Sequence, residues 1–295
     1  MQNKLNWLLA LWRREWEFWE NTLVKQLRLE LICIGAVFVI FVMSGAVTGR
    51  LSGYITTMPG AVLAFWGLPE KIGVPDGLTF MKWILMPLHV WIAWEACNRA
   101  MKTIWREEEG GHIYMLCNQW YTRYQIGIAK YTWIIMSFVI KYAIMFAVYI
   151  CLALVACKSG QRMTEVKLFI RLFGKGICVI AFLISLAASH AMLHKRKARS
   201  LWADIVVLGT LALGNLYKVK DLLELVMKQS GRDFTRLIRV LSWSGIFKGL
   251  APLSWLNPFT VYTKGIIIAQ VLFCLILSGA AAVVGIVGYR IRKFE

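Results

Sequence analysis

Residues 105–130 read Trp105-Arg-Glu-Glu-Glu-Gly-Gly-His-Ile-Tyr-Met-Leu-Cys-Asn-Gln-Trp-Tyr-Thr-Arg-Tyr-Gln-Ile-Gly-Ile-Ala-Lys130, the longest polar interruption in the first half of a strongly apolar chain. Three consecutive carboxylates, two glycines and a mixed apolar and polar run predict a loop feeding a short amphipathic helix, Ile113 to Tyr124. Long apolar runs flank the stretch, so this helix is expected at a bilayer face between two spanning helices. The competing reading is a solvated loop whose acidic run keeps it off an anionic leaflet.

Composition places the whole chain in the same setting. Of 295 residues, 59% are apolar and 17% charged, and the mean hydropathy is +0.60. These values argue for a polytopic membrane protein rather than soluble domains. The net charge of +18 sits beside apolar runs, where basic residues meet anionic lipid and fix orientation, so no nucleic-acid partner is expected. Seven cysteines are scattered through apolar runs without a C-x-x-C pair or a histidine at ligand spacing, so they read as small packing residues and no metal site is expected. No cleavable signal peptide is expected, because a charged, Trp-rich segment comes before the first long apolar run.

That N-terminal segment places Leu5, Leu8, Leu9, Trp12, Trp16, Trp19 and Leu23 at three- and four-residue steps, with Arg13, Arg14, Glu17 and Glu20 largely opposite. It reads as a helix lying in the membrane interface, where tryptophan is at home. Spans are expected at about 30–48, 78–98, 129–156, 166–192, 201–217 and 265–289, each long enough to cross hydrocarbon. Residues 49–77 hold nine glycines and prolines between Gly49 and Gly77, a density of breakers that predicts an external loop, part of it dipping back. Glu95, Arg99, Lys102 and Arg106 are expected near water at the inner end of the second span, and Lys167, Arg171 and Lys175 are expected to snorkel outward from the fourth.

The basic run His194-Lys-Arg-Lys-Ala-Arg199 and the tail Arg290, Arg292 and Lys293 predict cytoplasmic faces. Residues 218–264 form the longest extramembrane stretch, and its part 218–248 holds seven Lys/Arg against three acidic residues. Placing it outside runs against the positive-inside tendency. A five-span arrangement, in which the 17-residue run 201–217 fails to cross, therefore stays open.

Chemistry-bearing motifs are few. The chain has no G-x-x-x-x-G-K-[ST], H-E-x-x-H or G-x-S-x-G, so it is not expected to hydrolyse nucleotide or to be an enzyme, and no catalytic residue is assigned. Within the predicted spans the candidate functional residues are His89, Lys141 and Asp204, ionisable groups that suit a pathway or a buried polar contact. His89 reads as a hydrogen-bonded packing residue or a proton relay. Lys141 reads as a snorkelling side chain or a cavity residue, and Asp204 as an ion-pair partner of the basic run at 195–199.

The acidic run, glycine, leucine-bearing helix, arginine and following lysine at Glu107, Glu109, Gly111, Leu116, Arg123 and Lys130 resemble the cytoplasmic coupling segment of ABC-type exporter permeases of the second class. Leu256-Asn-Pro-Phe-Thr-Val-Tyr-Thr-Lys-Gly265 resembles the approach to that family's last span. The resemblance implies an all-α, single-domain integral membrane protein. It would have six transmembrane helices, an N-terminal interfacial elbow helix over residues 1–28, a coupling helix within 105–128 between spans two and three, and an external loop at 218–264.

Further implications concern partners. ABC ATPase subunits, which would hold the ATP and Mg, would dock on Glu107, Glu108, Glu109, Gly111, Leu116 and Arg123, while this chain would bind no cofactor itself. A second permease subunit, identical or not, would complete a pathway lined by the first, second and fifth spans. Both termini would be cytoplasmic, in a plasma membrane that the basic inner faces suggest is bacterial. The apolar, aromatic-rich interior suggests an amphipathic or hydrophobic cargo such as a peptide, antibiotic or lipid-linked molecule. A secondary transporter or channel independent of ATP is the alternative, and would need internal repeats, broken helices or a charged relay.

Overall fold

The computed structural model describes residues 6–47, 77–109, 121–156, 162–194, 235–242, 252–256 and 263–291, with single positions between them. Among these residues there is no strand. Helices α1 (Asn6–Val47), α2 (Gly77–Glu109), α3 (Arg123–Ala156) and α4 (Arg162–Leu193) are followed by the short α5 (Thr235–Ser242), a 3-10 turn (Pro252–Leu256) and α6 (Lys264–Ile291). Three of them, over Arg123–Val155, Met163–Leu193 and Lys264–Ile291, are long and apolar enough to cross a membrane. They correspond to the expected third, fourth and sixth spans.

The expected division between an interfacial elbow helix and a first span is replaced by one helix. Residues 24–29, Val-Lys-Gln-Leu-Arg-Leu, are helix formers, and no glycine or proline occurs in α1 before Gly35. The shift from amphipathic to apolar sequence changes what the side chains face without stopping the backbone. At 42 residues this helix is about 63 Å long. Its buried face runs through Leu11, Glu15, Trp19, Glu30 and Ile34, spaced for one helical stripe. Trp16, expected on the apolar stripe, is instead exposed.

Helices α2 and α3 likewise run further than expected, to Glu109 and from Arg123. Pro87 lies inside α2 without ending it. Of the expected helix Ile113–Tyr124, residues 113–120 lie outside the described residues; Tyr121 and Thr122 are non-helical and Arg123 opens α3. Thr122 caps α3 reciprocally with Gln125. The Gln125 N–H donates to Thr122 Oγ1 (3.3 Å) and the Thr122 N–H donates to Gln125 Oε1 (2.9 Å). Gly111 and Leu116, with the rest of 110–120, lie outside the described residues, as do the loop 49–76, the run 195–199, Asp204 and most of the expected fifth span. Glu107, Glu108 and Glu109 form the last turn of α2.

Calling the end where α2 stops and α3 starts the proximal end fixes the direction of every long helix. Glu15 meets Arg106 and Lys130 proximally, and Lys82 meets Glu165 distally. Hence α1 and α3 run away from the proximal end, and α2 and α4 run towards it. Trp105 on α2 donates its indole N–H to the carbonyls of Ala191 (3.0 Å) and His194 (3.1 Å), closing the last turn of α4. Helix α6 pairs Ser278 with Ser185 and Gly288 with Leu193. It is therefore parallel to α4, and the segment joining them leaves at the proximal end and re-enters at the distal end.

Helix α4 is the centre, packed on α6, α2, α3 and the 3-10 turn, while α1 packs chiefly on α3. In lipid the hydrophobic effect does not drive helices together, so close approach and polar contacts must do so. At the α4–α6 seam a Cβ on Gly285 would lie 2.8 Å from Ser189 Cα, which means only glycine permits this approach. Ser189 Oγ donates to the Ala281 carbonyl at 2.5 Å. Tyr131, Ser185 and Ser278 form a hydroxyl chain joining α3, α4 and α6, with links of 2.6 Å on either side of Ser185.

Candidate functional site

The chemistry-bearing residues gather where α1, α2 and α3 meet. Lys141, in the middle of a very apolar helix, donates to Glu30 Oε1 on α1 at 2.7 Å and also to Glu95 Oε2 on α2. Arg99 binds the other oxygen of Glu95 and reaches Gln26 Oε1 on α1. Glu30, Glu95, Arg99 and Lys141 are each at most 9% exposed. Ions so placed survive only if paired, and here two carboxylates face two cations, leaving the cluster formally neutral.

One further layer lies at the proximal end. Glu15 Oε1 accepts from Arg106 (3.0 Å) and from Lys130 (3.4 Å), and Lys130 also donates to the Thr103 carbonyl (2.7 Å). The Arg106 guanidinium covers the Phe18 ring at 3.7 Å, and Trp12 Nε1 donates to Thr132 Oγ1 at 3.1 Å. The distal layer is the Lys82–Glu165 pair at 2.9 Å, joining α2 to α4. From Glu15 to Glu30 is about 22 Å along α1, so the polar seam covers much of the thickness of a bilayer core.

Between the middle and distal layers, His89 Nε2 and Tyr142 Oη lie 2.8 Å apart, both buried. Tyr142 sits in an aromatic column with Phe138, Phe146 and Phe173. Against it lies a pocket of about 10 Å³ lined by Glu95, Arg99, Ser137, Lys141 and Tyr142 among apolar neighbours, room for roughly one water. On α4, Lys175 donates to the Trp255 carbonyl at 2.7 Å and pins the buried 3-10 turn to the bundle.

These positions correct two expectations. Glu95 and Arg99 do not reach water at the end of a span; the continuation of α2 to Glu109 carries the helix end well beyond them, so they are buried and bind Lys141 and Gln26. Lys175 does not snorkel, because the 3-10 turn covers it, while Lys167 and Arg171 are exposed. Lys141 takes a buried cluster role, and His89 is a hydrogen-bonded residue of the same region. Asp204 lies outside the described residues. Of the expected docking residues, Arg123 begins α3 and is partly exposed, at the proximal end with the 107–109 turn.

Glu30 was missed as a site residue because it looked like the boundary of a span. The available signal was Lys141: a lysine in the middle of an apolar helix calls for an acidic partner at the same depth, and Glu30 and Glu95 are the acidic residues there. Among the described residues no group of three or more His, Cys, Asp or Glu side chains could hold a metal ion. Comparison with protein-family models finds no match, and comparison with curated proteins finds none.

Proposed function

We propose that this chain is the membrane-spanning permease subunit of an ABC-type exporter, moving an amphipathic or hydrophobic substrate across the plasma membrane. It would work beside a second permease subunit, with ATP and Mg held by separate ATPase subunits docked on the 105–128 segment. The observation that carries this reading is the tie between that segment and three helices at once. Arg106, from the last turns of α2, and Lys130, from the first turns of α3, grip the same Glu15 carboxylate on α1. A force applied between residues 107 and 123 would therefore shift α1, α2 and α3 as one body, which is what a rigid-body switch between inward-open and outward-open states requires. The parallel course of α4 and α6 favours the six-span over the five-span arrangement, since the linking segment must return along the bundle.

The test is recovery of the chain from its native membranes in detergent, alone and with Glu107→Ala and Glu109→Ala together. A nucleotide-binding protein recovered in stoichiometric amount from the native chain, and lost with the double substitution, is the expected result. Equal recovery and equal transport with both chains would remove the proposal.

A second reading is an ATP-independent secondary transporter or channel, and the buried Glu30–Lys141–Glu95–Arg99 cluster favours it, because ionisable groups at such depth commonly line ion routes. Purified chain that moves cargo on an ion gradient with no companion protein would decide for this reading.

A further inference from the structure

Helix α1 is attached unlike the others. It packs on α3 and reaches α2 through long polar side chains, at the Glu15–Arg106 level and at the Glu30–Gln26 level. At the second level the two carboxylates are not equivalent. Glu95 has both oxygens occupied by cations, Oε1 by Arg99 and Oε2 by Lys141, whereas Glu30 has a single cation on Oε1. Glu30 Oε2 is buried and has no hydrogen-bond partner. A buried carboxylate oxygen left without a donor is costly, and a proton is the smallest ligand that relieves it.

We propose that Glu30 is a proton-binding site that latches α1 to the bundle: ionised, it holds α1 on Lys141, and protonated, it lets α1 move. The charged groups facing it are Glu95 and Arg99 from α2 and Lys141 from α3; Gln26, one turn earlier on α1, is neutral. Taking a proton from water at Oε2 changes the cluster from formally neutral to one net positive charge, with Arg99 and Lys141 sharing Glu95. The ion pair that fixes α1 to α3 becomes a hydrogen bond from the Lys141 ammonium to an uncharged carboxyl, which loses the attraction between opposite charges. The pocket bounded by Glu95, Ser137, Lys141 and Tyr142 adjoins the partners of Glu30 and has room for about one water. Beyond Tyr142, the His89 ring extends the row of exchangeable groups towards the distal end. This site stands apart from the choice of motor, since it concerns how α1 is held and not what moves it.

Two measurements on the full chain in phosphatidylethanolamine–phosphatidylglycerol vesicles test it. Infrared difference spectra on lowering the pH should show a protonated-carboxyl band, with the share of one carboxyl per chain lost in Glu30→Gln and kept in Glu15→Gln. Spin labels on cysteines replacing the exposed Ile32 (α1) and Ile144 (α3), with native cysteines replaced, should report a separation that changes as pH falls. In Glu30→Gln the low-pH separation should hold at every pH, and Glu30→Asp should restore the pH response. Should Glu30→Gln not fold, the Glu30→Asp chain carries the test, because it must show the band and the response displaced along the pH axis. An unaltered band in Glu30→Gln, or a label separation that ignores pH in the native chain, would overturn the proposal.

Discussion

The Lys141 ammonium lies 2.7 Å from the Glu30 carboxylate, joining the middle of α3 to the middle of α1 in a region where both side chains are shut off from solvent. Because Lys141 also serves Glu95, it is the one cation that touches both acids of the cluster. Lys141→Met strands Glu30 and leaves Glu95 with Arg99 alone. The expected cost is about 3–5 kcal/mol, the usual penalty for removing one partner of a buried pair. Adding Glu30→Gln to Lys141→Met should recover much of it, since the stranded charge is then gone as well. Thermal unfolding in detergent of the two single variants and the double variant measures the coupling; strictly additive losses would mean that the contact contributes nothing.

Close approach of α4 and α6 depends on Gly285. Any side chain there meets the Ser189 backbone at 2.8 Å, and backbone in mid-helix cannot swing away as a flexible side chain could. Gly285→Ala is expected to lose about 1–3 kcal/mol through forced separation of the helices. On the same helix Gly279 faces open space, so Gly279→Ala should be neutral or stabilising by up to about 1 kcal/mol from helix propensity alone. The contrast is read from the two melting temperatures, and equal effects would show that the seam tolerates a methyl group.

Trp105 offers a third check. Its indole N–H closes the carbonyls of Ala191 and His194 from a neighbouring helix, so Trp105→Phe keeps most of the apolar volume and removes the donor. A loss of about 1 kcal/mol is expected, the net worth of a typical hydrogen bond, with more if the carbonyls are left dry. Hydrogen exchange should quicken at the amides of residues 190–194 and not in the middle of α4. Unchanged exchange at those amides would mean that water replaces the indole without cost.

The parts of this architecture legible in the sequence are those written in uninterrupted hydropathy. The apolar runs behind α3, α4 and α6 gave their spans to within a few residues, because few charges interrupt them and breakers or basic residues mark their ends. The helix ends around residues 105–128 were not legible by the same signal. The glycines at 110 and 111 and the acidic run looked like a loop from Glu107 onward, but Glu107 to Glu109 still complete the last turn of α2. The Thr122–Gln125 cap, a T-x-x-Q spacing, was present in the sequence and would have set the start of α3. The polar seam was hidden for a different reason. Apart from Glu95–Arg99, one turn apart on α2, its ion pairs are 46 to 115 residues apart, and only the antiparallel and parallel alignment of α1, α2 and α3 brings Glu15 to Lys130 and Glu30 to Lys141. Local pattern can flag a lysine in an apolar helix, but it cannot name the acid at the same depth.

The shared direction of α4 and α6 makes a prediction about sidedness. His194 ends α4 at the proximal end, with Arg123 and the acidic turn, while Lys264 opens α6 at the distal end. The linking segment therefore starts at one end and finishes at the other, and if 201–217 makes that crossing, residues 218–248 belong to the distal side despite their seven basic residues. A cysteine replacing Gln229, in a background with the seven native cysteines exchanged, should react with an impermeant thiol reagent in intact cells, and one replacing Lys102, exposed near the proximal end, should react only after permeabilisation. The positive-inside tendency argues for the reverse at Gln229, but it weighs charges close to span ends most heavily, and the run at 195–199 lies nearer to one. Protection of both cysteines in intact cells would mean that the return crossing falls after residue 229, and would leave 201–217 on the proximal side.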